Sequence, residues 1–248
     1  MSHGNGAWFG AHDDTAEALA DAGYVVAALS HPGDTFDDDS RATALTGRAP
    51  QLSALIDHMT GAWSGPVAVD PERIGAFGFS AGGFTVTQAI GGAADLDAIQ
   101  AHCVGHAEQF ACGLLASQPP VPADWRPEAR DSRIRAAVVA APGFGMAFTA
   151  DSLAAVTVPV QLWRAGLDQV LPSPFHVEPI RDGLGGAVDY RVEAQAGHLD
   201  FLEACGPGSM LPPPLCVSAD GFDRAAFKAR FSAEVVRFFD AHLKASDD

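Results

Sequence analysis

Lysine is almost missing from this chain. Only Lys228 and Lys244 carry it, and all basic side chains together number 15 against 31 acidic ones. The resulting formal net charge of −16 leaves no basic footprint for nucleic acid and disfavours docking on anionic lipid. It reads as an acidic, solvated surface. No stretch reaches the roughly 18 apolar residues of a transmembrane helix, and no internal repeat or low-complexity tract is present. No secretory leader is visible, since Met1 is followed at once by Ser-His-Gly-Asn-Gly-Ala. What the chain does have is 48% hydrophobic residues against 19% charged ones, enough for a sizeable core and incompatible with wholesale disorder. Its 248 residues suit one large domain or two small ones.

The four cysteines fall into two close pairs, Cys103 with Cys112 and Cys205 with Cys216, both in irregular-looking Pro/Gly-rich sequence. Two local disulfides would suit an exported protein. Four unrelated thiols are the plainer alternative. His102, Cys103, His106 and Cys112 also lie close together, but their spacing matches no strong zinc pattern, and no metal is expected.

Apolar runs alternate with helix-like stretches. A helix is expected over 15–22, stopped by Gly23. A buried parallel strand is expected over 24–29, Tyr24-Val-Val-Ala-Ala-Leu29. His31-Pro-Gly-Asp34 and the acidic residues after it read as a loop. A second helix follows over 50–59, a strand over 74–79, and a helix from 81 to about 93. Residues 94–132, with the first cysteine pair and prolines such as Pro119 and Pro120, break the rhythm. They read as an insertion or small cap within one domain spanning 1–248. Further strands are expected over 134–140, 158–163 and 187–193. A final helix over 222–243 repeats Phe227, Phe231, Val235, Phe238 and Leu243 at helical spacing. The alternation implies an α/β fold, a mostly parallel sheet with helices on both faces. Functional groups in such a sheet gather at the carboxyl ends of the strands.

At one such end stands Gly78-Phe-Ser80-Ala-Gly82, a G-x-S-x-G sequence. In a chain of this composition about 0.15 such matches arise by chance, so the pattern alone is weak. Its context is stronger, because it follows an apolar strand and opens a helix, as a nucleophile elbow must. A serine nucleophile needs a base, and the base needs an orienting group. His198 lies just past the strand ending at Glu193, and Asp168 just past the strand ending at Trp163. Alone, the one would pass for a loop histidine and the other for a turn aspartate; together with Ser80 they stand at three strand ends in the chain order Ser, Asp, His. Asp200 and Glu193 are rival orienters but lie too near His198 in sequence. An oxyanion hole needs two N–H donors. His3-Gly4-Asn5-Gly6 offers one, and the backbone amides of Asn5 and Ala81 are the expected pair, with His3 itself structural.

Several stretches together carry a family likeness: Ser2-His-Gly-Asn-Gly6, Tyr24-Val-Val-Ala-Ala28 with His31-Pro-Gly33, Asp70-Pro-Glu-Arg-Ile-Gly75 before the elbow, Ala141-Pro-Gly143, Gly197-His-Leu-Asp-Phe201, and Gly221-Phe-Asp-Arg224. Over nearly its whole length the chain resembles the α/β-hydrolase superfamily. More narrowly it resembles the bacterial predicted dienelactone hydrolases, which group with platelet-activating-factor acetylhydrolase-like esterases. The resemblance implies a Ser-Asp-His carboxylic ester hydrolase acting on a small-molecule ester, with no metal or organic cofactor. It also implies an exported protein, with cysteines near the positions of both pairs here, which supports the disulfide reading. Short-chain esters are the default substrate, and Trp8, Phe79, Phe144, Met146, Phe148 and Trp163 are candidates for an apolar acyl pocket, though each residue type is more often core. A peptidase or amidase of the same fold, or a non-catalytic binding protein on a hydrolase scaffold, are the alternatives.

The chain departs from the family pattern in three places. Ser80 stands where true dienelactone hydrolases use cysteine. Phe79 stands where the elbow often has histidine, and is expected to pack into the wall. The strand that should lead into the His3 loop is reduced to Met1 and Ser2, and the two strands usually before it are absent. About five main parallel strands and an incomplete N-terminal half are therefore expected, either with a gap beside the elbow strand or with the flanking strands closed up on one another.

Overall fold

Four apolar runs become strands: β1 Ile74–Phe79, β2 Ile134–Ala140, β3 Val160–Ala165 and β4 Val188–Glu193. They pair in parallel in the order β1-β2-β3-β4. The structure is a computed structural model, and it describes residues 1–117, 129–206, 209 and 211–244. β2 shows why these runs read as buried strands. It is covered on both faces, so its side chains alternate between two cores: Ala137 and Val139 face one, Ala136 and Val138 the other.

Helices close both faces. The first core takes Leu52 and Ile56 of α2 (Arg48–Gly61), Phe84 and Val86 of α3 (Ala81–Ala89), and Ile180. The second takes Leu19 of α1 (Asp13–Asp21) and Phe227, Phe231 and Val235 of the last helix. Between them in the chain run α4 (Leu96–Gly105), α5 (Phe110–Ser117), α6 (Ala150–Leu153), α7 (Val177–Leu184) and finally α8 (Arg224–Leu243). Asp223 caps α8 by accepting from the Ala226 amide at 2.9 Å. Disulfides join Cys103 to Cys112 and Cys205 to Cys216, which leaves neither Cys103 nor Cys112 a thiolate to ligate a metal. The stretch 94–132 contains α4 and α5; its residues 118–128, with Pro119 and Pro120, lie outside the described residues.

Several boundaries differ from expectation. The helix starting at Ala81 ends at Ala89 rather than near 93, because the chain turns through Gly91 at φ 120°. The third strand spans Val160–Ala165 rather than 158–163, since Pro159 has no N–H to enter a ladder. Residues 24–29 form no strand. Leu29 alone makes a parallel bridge, to Ser2, which also bridges Gly78 of β1. Ser2 donates to the Phe77 carbonyl at 2.9 Å and accepts from the Phe79 amide at 3.2 Å. A strand exists only against a partner, and residues 24–29 meet only Met1, whose N-terminus donates to the Ala27 carbonyl at 2.6 Å, and Ser2. Further along, the two edges neither close up nor pair. They border an apolar groove of about 140 Å³ lined by Met1, Val26, Ile74 and Phe239 among others. Among the described residues the sheet therefore has four strands, where about five were expected.

Candidate active site

The elbow is built at the end of β1. Ser80 has φ 56° and ψ −118°, a region that a non-glycine residue enters only when its surroundings impose it. The surroundings are tight. A Cβ on Gly78 would stand 2.1 Å from the Gly82 carbonyl oxygen, and one on Gly82 would stand 2.0 Å from that of Ser2. Both glycines of the motif are thus required by close backbone approach. The loop after β2 clasps the turn: Ser80 donates its amide to the Ala140 carbonyl, and its own carbonyl accepts from the Gly143 amide, each at 3.0 Å.

The loop after β3 brings in Asp168. One carboxylate oxygen, Oδ1, accepts from the amides of Val170 and Leu171 at 3.0 and 2.7 Å. The other, Oδ2, lies 2.7 Å from Nδ1 of His198. His198 opens a short turn after β4, and its Nε2 lies 3.0 Å from Ser80 Oγ. A carboxylate can only accept, so the imidazole carries its proton on Nδ1 and turns a lone pair at Nε2 toward the serine hydroxyl. Both the His198 and Asp168 side chains are 4% exposed, which shields the pair from competing water. The Phe79 ring lies over the imidazole at 4.8 Å between centroids.

The histidine turn is itself anchored. Asp200 accepts from the Gly197 amide at 2.7 Å and from Ser218, and Glu193 pairs with Arg230 at 3.2 Å, so both rival orienters are engaged elsewhere. Lys228 of α8 donates to the Phe201 carbonyl at the far end of the turn (3.0 Å) and to Thr15 of α1 (3.2 Å). Burial pushes this ammonium down to about 8, against the pull of nearby Asp14.

Opposite the elbow runs the His3–Gly6 loop, held by two residues that the sequence reading left unassigned. Asp34 accepts with Oδ1 from the Gly6 amide at 2.7 Å and from the Asn5 side chain at 2.8 Å, and with Oδ2 from Arg48 at 2.7 Å. Arg48 also donates to the His3 carbonyl. Burial raises the Asp34 carboxyl and lowers the Arg48 guanidinium to about 10, with their mutual attraction opposing both shifts. His3 bonds the Gly4 carbonyl and the His31 amide. Because the Asn5 side chain serves Asp34, its backbone N–H is what remains for a ligand. Neither that N–H nor the Ala81 N–H at the start of α3 takes part in a hydrogen bond among the described residues.

Ser80 and His198 open into an apolar cleft of about 820 Å³. Trp8 and Phe79 line it. Phe144, Phe148 and Trp163, also candidates for such a wall, are buried side chains, the first two in the first core and Trp163 in the second, and Met146 packs against the first core. Trp163 spends its indole N–H on Gln161 at 2.8 Å. The cleft walls come instead from Phe9, Phe36, Phe110, Leu199, Leu211 and Leu215. In sequence these sit in irregular stretches without periodicity, so their only signal was large apolar residues where loops usually carry polar ones.

No family model and no curated protein matches this chain. Solved structures do. A ferulic acid esterase from Streptomyces cinnamoneus superposes with a TM-score of 0.57 at 21% identity, covering 99% of this chain and 67% of that one. An esterase of Pyrococcus furiosus superposes with a TM-score of 0.59 at 13% identity, covering 98% of this chain and 82% of that one. The parallel sheet, the helices on both its faces and these likenesses define an α/β-hydrolase fold.

Proposed function

We propose that the chain is a serine carboxylic ester hydrolase. The observation that carries this reading is the hydrogen-bonded line from Ser80 Oγ through His198 to Asp168 at the floor of an apolar cleft. His198 Nε2 takes the hydroxyl proton as Ser80 Oγ attacks the ester carbonyl, and Asp168 holds the imidazolium that forms. The Asn5 and Ala81 backbone N–H groups receive the oxyanion. The carbonyl reforms, the alcohol departs with the proton from His198, and an acyl-enzyme remains. Water, deprotonated by the same histidine, then attacks the acyl carbon and releases the acid and Ser80.

The fold's likeness to two esterases supports an ester substrate, and the motifs around the His3 loop and the elbow favour the dienelactone hydrolase and acetylhydrolase-like branch. The two disulfides support an exported protein. Hydrolysis of p-nitrophenyl esters by wild type and Ser80→Ala tests the mechanism, with circular dichroism on both. The variant is expected to lose kcat by on the order of 10⁴ or more, and a fluorophosphonate is expected to label Ser80 stoichiometrically. A folded variant that hydrolyses at nearly the wild-type rate would remove Ser80 from the chemistry.

A further inference from the structure

Fifteen phenylalanines are spread along the chain, and among the described residues only three are exposed: Phe9 at 63%, Phe36 at 73% and Phe110 at 52%. All three line the cleft above Ser80. They come from separate places, the loop before α1, the acidic loop after residue 34, and the first turn of α5. The fold therefore gathers the three exposed phenylalanine rings at one mouth. Phe36 meets Trp8 edge to face at 6.0 Å between centroids. Contiguous apolar surface left in water marks a binding site far more often than chance.

The chemistry of the lining narrows what binds. Apart from Asn5, Ser80 and His198, every described lining residue is glycine, proline or apolar; no Asp, Glu, Lys or Arg is among them. A carboxylate on the substrate would find no Lys or Arg among the described lining residues and would meet a protein of formal net charge −16. A volume of about 820 Å³ falls in the range that encloses drug-sized ligands, far more than an acetyl group fills. Disulfides hold two of the walls in place. Leu211, Pro212 and Leu215 lie within the segment closed by Cys205–Cys216, and Phe110 lies two residues from Cys112.

We infer that the cleft over Ser80 selects uncharged esters carrying a bulky apolar group, and discriminates against both acetyl-sized and anionic ones. The inference rests on the ester hydrolase reading above and replaces its short-chain default. Each methylene withdrawn from water into such a cleft is worth roughly fourfold in binding, and part of that gain is expressed in kcat/KM.

Two measurements test it. The first is kcat/KM for p-nitrophenyl acetate, butyrate and octanoate and for the mono-p-nitrophenyl ester of suberic acid, an eight-carbon acyl chain ending in a carboxylate. A rise of at least tenfold from acetate to octanoate is expected, with the suberate ester at least tenfold below octanoate. In Phe9→Ser/Phe36→Ser the octanoate-to-acetate ratio is expected to fall about tenfold. A flat or falling length profile, a suberate ester turned over like octanoate, or an unchanged ratio in the double variant would overturn the inference. The second is binding of ethyl octanoate, ethyl acetate and monoethyl suberate to folded Ser80→Ala by calorimetry. Preference for ethyl octanoate supports the inference whether or not the wild type turns over, and equal or absent binding of all three overturns it. Octanoate binding without wild-type hydrolysis would instead refute the hydrolase reading alone.

Discussion

The Asp34 carboxylate accepts three hydrogen bonds, and all of them bear on the loop that faces the elbow. Removing its carboxylate would free the Gly6 amide and the Asn5 side chain and leave Arg48 buried without its charge partner. Breaking one side of such a buried pair costs about 3–5 kcal/mol. Asp34→Ala is therefore expected to lower the urea midpoint and, in the fraction that stays folded, to depress kcat more than KM, because in the proposed mechanism the Asn5 N–H acts on the oxyanion rather than on bound ester. An equal loss in an unrelated short ester's KM with kcat intact would speak against that role.

Buried histidines give a second expectation at this scale. His3 is lowered to about 3 and His31 to about 2, by burial first and then by the Arg48 charge; His176 is lowered to about 4, by burial, with Asp168 pulling it back. All three stay neutral in the folded protein while the unfolded chain takes up protons below about 6.5. Stability is thus full above that pH and declines as pH falls toward 4, by roughly 1.4 kcal/mol per histidine for each unit. Urea titrations at pH 7.5, 6 and 5 should show a falling midpoint, and a flat series would refute the assignment. Ser80, Asp168 and His198 were legible in the sequence because each follows a strand in a known order. Asp34 and Arg48 were not, since no motif marks two residues whose partnership is made only by the folded loop.

Among the elements, β1, β2, β4 and α8 stood out from their apolar patterns with ends right to within two residues. Residues 24–29 have an equally apolar pattern and fail to form a strand, because pairing is a property of two segments and this one meets only Met1, at Ala27, and Ser2, at Leu29. α7 escaped notice for the opposite reason: Pro179 and Gly183 interrupt a segment that its buried Val177 and Ile180 hold against the sheet. Among its described residues the segment between Cys205 and Cys216 has one short turn, Pro213–Cys216, so its place as a cleft wall depends on the crosslink. Closing a loop of this length stabilises by about 3 kcal/mol in the chain-entropy account. Cys205→Ser/Cys216→Ser should lower the thermal midpoint and raise KM for apolar esters, with kcat less affected. A variant with wild-type KM would show that the wall holds its shape unaided.

For the molecule as a whole, alternating apolar and helical stretches were enough to indicate a parallel sheet between two helical layers. The cleft was not legible, because it is assembled from several loops, the first turn of α5 and a disulfide-closed segment far apart in the chain. Net charge acts at this scale too. With 31 acidic side chains against 15 basic ones, the folded state carries self-repulsion that dissolved salt screens. The thermal midpoint is expected to rise by a few degrees between about 10 mM and about 0.5 M sodium chloride. A midpoint that fell would mean that attractive pairs such as Arg133–Asp131 outweigh the net charge.

The scarcity of lysine has a practical side. Lys228 is buried beneath the histidine turn, while Lys244 lies exposed at the other end of α8, about 24 Å along the helix axis at 1.5 Å per residue. An acylating reagent aimed at lysine side chains thus finds one handle, remote from the cleft over Ser80. Coupled to a bead or a dye through that handle, every molecule would be attached at the same lysine, with the cleft left open to substrate.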